Sequence, residues 1–249
     1  MILASTLYET LLELIRADKR GLSLSEEEYS RLSNVVNERI YSIRYKEFEN
    51  STDNISAMAP FKVINLPIVL VAAECSLPGS YYNMIGKPRI VDDDTITRRC
   101  DLVSQMELDE RTDDYLTQPT QTYPVYTLGE LDVSDNIILH VYPNDITGNV
   151  NIDYLRKANT PYLDYYVDDT TLNRFYLDAD DMAAEVPAGA TYRDGTAGLT
   201  LVESLTVDWE WGNDEIPLIL SMFTELMGIT LPDQLLVEAG NLLETKNIA

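Results

Sequence analysis

Apolar residues repeat with a helical period at both ends of this 249-residue chain and with strand character between them. That order, helix to strand to helix, decides the fold class. Leu3, Leu7, Leu11, Leu14 and Ile15 share one helical face, because residues three and four apart lie above one another. Arg16, Lys19 and Arg20 follow, suited to the negative end of the helix dipole, and Gly21 supplies a stop. Ser25 and Glu28 have capping-box spacing. Tyr29, Leu32, Val36, Ile40 and Ile43 then form a second stripe running toward Phe48. The stripes either pack on the chain's own core or dock a partner.

After the polar break at residues 50–54 the pattern changes. FKVINLPIVLVAAEC is rich in β-branched residues and contains Pro67, so it predicts strands. RIVDDDTITRRCDLVSQMEL predicts further strands around an acidic turn. The stretch from Arg111 to Tyr126 is so rich in Thr, Gln, Pro and Tyr that it predicts an extended arm without a core of its own. NIILHVYP and NVNIDYLRK predict two strands, and the turn residues between them predict a hairpin. Residues 167–200 predict loops with short strands. In the final stretch Asn213 or Asp214 can cap a helix carrying Pro217 in its first turn and Ile216, Leu220, Phe223 and Met227 on one face. Gly228 ends it, and Pro232 to Leu243 predicts one more short helix. The expected fold is therefore α+β. A helical hairpin spans 1–60, an antiparallel β-rich domain spans 61–212 with an extended loop at 111–126, and short helices fill 213–249.

Charge narrows the function. The chain has 18 Lys+Arg and 42 Asp+Glu, a net −24, and an isoelectric point near 4.2. Residues 1–62 hold 8 and 10 of these and residues 63–249 hold 10 and 32, so the excess is −22 in the latter. Such a surface argues against nucleic-acid or anionic-membrane binding, which needs a basic footprint. One histidine and two cysteines leave little room for a catalytic triad or a Cys/His zinc site. Cys75 and Cys100 are intracellular usage, and a disulfide between them is not expected. No apolar run is long enough to span a bilayer, and Glu9 and Glu13 interrupt the first one, so no signal peptide is expected.

The candidate chemical groups are few. Asp92, Asp93 and Asp94 could hold calcium, but an EF-hand loop starting there would want glycine at Thr97 and glutamate at Val103. Asp168-Asp169 and the run Asp178, Asp180, Asp181 are better explained as solvated turns. Phosphate loops, dinucleotide fingerprints and nucleophile elbows are absent. His140 lies in a predicted strand on the face of Ile138 and Tyr142, a structural setting. Trp209 and Trp211 share a face at strand spacing and could cover a core or stack on a sugar. No catalytic, cofactor-binding or metal-binding residue is expected. Sixteen tyrosines against four phenylalanines suit interfaces, where a large ring with a polar tip is favoured.

Three stretches carry a resemblance. They are GLSLSEEEYSRLSNVVNERIY near the start, ILHVYPNDITGNVNIDYLRKANTPYLDY in the middle, and VDWEWGNDEIPLILSMFTELMGITLPDQLLVEAGN toward the end. In their order and local pattern the chain resembles virion structural proteins of tailed bacteriophages, in particular the head–tail connector and tail-ring proteins of crAss-like phages. The resemblance implies a non-enzymatic ring subunit of about twelve copies, located in the virion and assembled in the host cytoplasm. It implies the portal and other tail proteins as partners, and DNA that passes through the channel without specific binding. The alternatives are an acidic cytosolic interaction adaptor, and a carbohydrate-binding or carboxylate-using enzyme.

Overall fold

The computed structural model describes residues 1–17, 23–50, 57–92, 96–179, 184–196, 198 and 201–228. Helices α1 (Ala4–Ala17) and α2 (Glu26–Asn50) come first. Six strands follow: β1 (Lys62–Val69), β2 (Glu74–Ser76), β3 (Tyr81–Met84), β4 (Arg89–Asp92), β5 (Ile96–Arg99) and β6 (Asp101–Leu102). Helix α3 (Gln105–Asp113) precedes β7 (Val125–Leu131), β8 (Ile137–Tyr142) and β9 (Asn149–Arg156). Five short strands, β10 (Asp164–Asp168), β11 (Arg174–Leu177), β12 (Ala184–Glu185), β13 (Ala190–Tyr192) and β14 (Leu201–Val202), lead to α4 (Ile216–Leu226). The class is α+β, with helices at both ends and antiparallel sheets between.

The chain divides into two compact units. One joins Met1–Pro60 to Ala158–Ala249; the other is the continuous stretch Phe61–Lys157. Residues 158–212, grouped with the strands in the sequence reading, thus pack with the terminal helices.

In the first unit α2 starts where its sequence says. Ser25 and Glu28 form the reciprocal capping box, each backbone N–H donating to the other's side chain at 3.2 Å. The α1 stripe is buried from Leu7 to Ile15, although Leu3 is exposed. On α2 the buried face runs Tyr29, Ser33, Val36, Asn37, Ile40 and Tyr41. It therefore replaces the expected Leu32 and Ile43 with two polar residues and a tyrosine. For Asn37 the reason is hydrogen bonding: its Oδ1 accepts the indole N–H of Trp211 at 2.7 Å, and its amide donates to the Asn159 carbonyl at 2.9 Å. The stripes do pack on the chain's own core, so they are not a free docking face. Tyr29 stacks on Phe223 of α4, with ring centroids 5.6 Å apart. A long-range cap closes α1, whose Ala4 N–H donates to buried Asp208 at 2.8 Å. Pro217 sits in the first turn of α4, preceded by a 3-10 turn at Asn213–Glu215 rather than a side-chain cap. The expected helix from Pro232 to Leu243, and Lys19, Arg20 and Gly21 of the first turn region, lie outside the described residues.

The second unit is a sandwich. In one sheet β9 is central, with β1 on one edge and β3 and β4 on the other, β5 pairing β4. The second sheet runs β2-β8-β7-β6, antiparallel except for the parallel β6–β7 pair. Val150, Ile152 and Tyr154 of β9 and Leu139 and Val141 of β8 belong to one buried core. This corrects the predicted β8–β9 hairpin: both edges of each strand are already taken, so the two face each other across the core instead of pairing edge to edge. Helix α3 is a second correction. Its sequence predicted strand, then arm, but Ser104 caps it by accepting the Glu107 N–H at 3.2 Å.

Candidate functional site

The alternation of β8 sets up a groove on the surface of the second unit. Leu139 and Val141 enter the core, leaving Ile138, His140 and Tyr142 on the opposite face, as expected for His140. Pairing register places Glu74 of β2 directly beside His140 on one side and Thr127 of β7 on the other. His140 Nδ1 lies 3.1 Å from Glu74 Oε1. One end of this face is covered by α3, whose Leu108 packs with Val103 and Val125, and Tyr142 against them. The other end is uncovered. Between it and the start of α3 lies a groove of about 710 Å3 lined by Val103, Gln105, Leu128, Glu130, His140 and Tyr142 among others. Gly129 of β7 lies beside the ring: a Cβ there would sit 3.4 Å from the imidazole Cδ2, in ordinary van der Waals contact. The lining residues include no Lys, Arg or Cys. The groove offers an imidazole held by a carboxylate, backbone of β7, and apolar walls.

Beside it lies the arm. Residues 111–113 are the end of α3, and Val125 and Tyr126 are buried in β7, so the extended segment is 114–124 rather than 111–126. It is locally braced. Asp114 Oδ1 accepts the Leu116 N–H at 3.0 Å, Thr120 and Tyr123 exchange backbone bonds, and Arg98 donates to the Gln121 carbonyl at 2.9 Å. Yet it holds its largest side chains in water: Tyr115 and Leu116 are each 89% exposed and Tyr123 is 78% exposed. Met106 on α3 and Leu131 and Val133 at the β7–β8 turn are exposed as well. Single exposed apolar residues are ordinary, and here three large ones fall on one braced segment.

The other candidates resolve simply. Trp209 and Trp211 are fully buried in the first unit. Their indole N–H groups donate to Tyr29 Oη at 3.0 Å and to Asn37 Oδ1 at 2.7 Å, so neither can stack on a sugar. Each contributes about 4–6 kcal/mol of apolar transfer as an upper bound. Cys75 and Cys100 are unpaired and buried. Burial pushes their thiols up to about 11 and about 12. Asp168 Oδ1 accepts the N–H groups of Thr170 and Thr171, both at 2.8 Å, and these bonds hold its carboxyl below the usual range. Asp169 accepts the Thr191 hydroxyl. Both aspartates are thus turn builders. Asp93, Asp94, Asp180 and Asp181 lie outside the described residues, and among the described ones no group of three His, Cys, Asp or Glu could hold a metal.

Sequence reasoning missed the buried carboxylates. Asp164 is fully buried and accepts from Tyr192 Oη and Arg193 Nε, both at 2.5 Å, and from the Leu205 N–H at 2.9 Å. Glu215, 2% exposed, pairs with Arg44 at 2.7 Å, and Glu26 pairs with Arg174. Nothing in a chain with 42 acidic residues singles these three out.

No protein-family model matches the chain, and no curated protein matches it either. Among the described residues, no helix is long and apolar enough to cross a membrane.

Proposed function

We propose that this chain is a non-enzymatic structural subunit that acts by assembling with other proteins. The form implied by its resemblance is a ring of the tailed-phage head–tail connector, with portal and tail proteins as neighbours and DNA passing through the channel. The observation that carries the assembly reading is the braced arm at 114–124, which holds Tyr115, Leu116 and Tyr123 out in water. Ordering a segment without burying its aromatic side chains leaves favourable burial unrealised, and a neighbour recovers it. The acidic balance fits the same role, since a channel wall of like sign does not hold phosphates.

Self-association is the test. Identical subunits of net −24 repel one another, and added salt shortens that repulsion to about 3 Å near 1 M. Sedimentation velocity at rising salt and protein concentration is expected to show a closed oligomer forming from monomer. The triple variant Tyr115→Ser, Leu116→Ser, Tyr123→Ser should melt as the parent does but stay monomeric. A parent that remains monomeric under every condition, or a variant that assembles equally well, overturns the reading.

A further inference from the structure

Strand β7 is only partly covered on its outer edge. On the inner side it pairs with β8 from Val125 to Leu131. On the outer side, among the described residues, β6 pairs only opposite Val125 and Tyr126, and the Val103 N–H adds one bond to the Tyr126 carbonyl. From Thr127 onward the outer edge borders the groove. The pairing register with β8 also slips between Leu128 and Leu131, so Gly129 and Glu130 have no ladder partner on the inner side. Natural sheet edges are usually blunted by lysine, proline, a bulge or a cover, and of these Thr127–Leu131 has the bulge alone. Thr127–Leu131 reads TLGEL, with no proline, no lysine and one charge, Glu130. Leu102, Leu128 and Leu131 remain exposed along this edge.

From this we infer that the β7 edge is a docking site for an extended basic segment of another protein, which adds as a strand where β6 leaves off. The backbone of β7 supplies the ladder, and the groove takes alternate side chains. Charge selects the occupant. Glu130 lines the groove, Glu74 lies behind the lining at 3.1 Å from His140, and no Lys or Arg lines it. Nearby Asp132 is held ionised at the β7–β8 turn chiefly by the Asn136 N–H, which keeps its carboxyl below the usual range. The unit Phe61–Lys157 holds 8 Lys+Arg against 15 Asp+Glu. A segment alternating cationic with β-branched residues satisfies both faces of such a site, whereas a second copy of this acidic chain does not.

The inference rests on the assembly reading for its biological setting but is tested apart from it, on the monomer at low salt. The probe is a synthetic peptide of about ten residues alternating lysine with valine, a strand's length. Its controls are the glutamate–valine peptide and a version N-methylated at every second amide. Binding of the lysine peptide is expected to slow amide exchange at Leu128, Gly129 and Glu130 and to weaken with salt. Glu130→Lys, at an exposed position, should weaken it about fivefold or more with unchanged melting. The glutamate and N-methylated peptides should not bind. No binding of the lysine peptide, equal binding of the N-methylated one, or protection confined to another edge overturns the inference. If the peptide docks while the parent never self-associates, the site stands and the ring reading falls.

Discussion

Replacing Asp164 by alanine should unfold much of the first unit's margin of stability. The carboxylate is fully buried and has three long-range donors: the Tyr192 hydroxyl, the Arg193 guanidinium and the Leu205 N–H. Removing it strands them unequally. Tyr192 is 6% exposed, so its hydroxyl finds little water and costs about 1–3 kcal/mol. The Leu205 N–H adds about 1 kcal/mol. Arg193 is a quarter exposed and recovers part of its solvation, which trims its share. The total is about 3–5 kcal/mol, the range for breaking a buried pair, against roughly 5–15 kcal/mol for a typical domain. Asp164→Asn keeps one acceptor but turns an NH2 toward a donor, and should cost about 1–3 kcal/mol. The assay is urea unfolding followed by tryptophan fluorescence. Both tryptophans of the chain, Trp209 and Trp211, are buried in the same unit as Asp164, so the signal reports that unit alone. A shift below about 1 kcal/mol for the alanine variant would refute the reasoning, because it would mean the stranded donors find water.

Three further outcomes follow from the same geometry. Cys75 and Cys100, both in the second unit, should react with a thiol reagent at pH 8 only when that unit opens, since burial keeps both protonated there; fast stoichiometric labelling of the native protein would contradict it. Stability should be level through neutral pH and fall above about pH 8.5–10, where the unfolded thiols and phenols ionise. The native thiols hold their protons to about 11 and 12, and the native Tyr8, Tyr126 and Tyr192 hold theirs to about 12. A denaturation midpoint unchanged between pH 8 and 11 would count against this. His140→Ala should cost under about 1 kcal/mol, because its Glu74 partner is about half exposed; a loss above 2 kcal/mol by chemical denaturation would show a structural role that the groove geometry does not explain.

The elements with their own local signals were legible. The Ser25–Glu28 box, the α1 stripe and the Trp209/Trp211 face each carry a chemical reason within a few residues. Helix α3 carried one too, in the Ser104-x-x-Glu107 spacing. It was missed because it buries only Leu108 and so shows no apolar stripe. The β8–β9 misreading has another source. Turn residues between two strands say that the chain reverses, but not whether it re-enters the same sheet, and that depends on which edges β1, β2, β4 and β7 occupy. The groove was illegible for the same reason: it exists because β6 is two residues long beside a seven-residue β7. Asp164 shows the remaining limit, since its three long-range donors come from 28 to 41 residues downstream.

The interleaving of the two units has a consequence for the order in which the chain acquires structure on the ribosome. Phe61–Lys157 is continuous, so the sandwich can close as soon as it emerges. Helices α1 and α2 emerge earlier yet cannot finish their core, because Trp209, Trp211 and Phe223 are made only after the sandwich. For the whole interval of synthesis between Asn50 and Phe223 the two stripes have only each other as cover, through contacts such as Tyr8 on Tyr29. Unburied apolar surface in the nascent chain is therefore concentrated on α1 and α2 at a stage when the sandwich can already close.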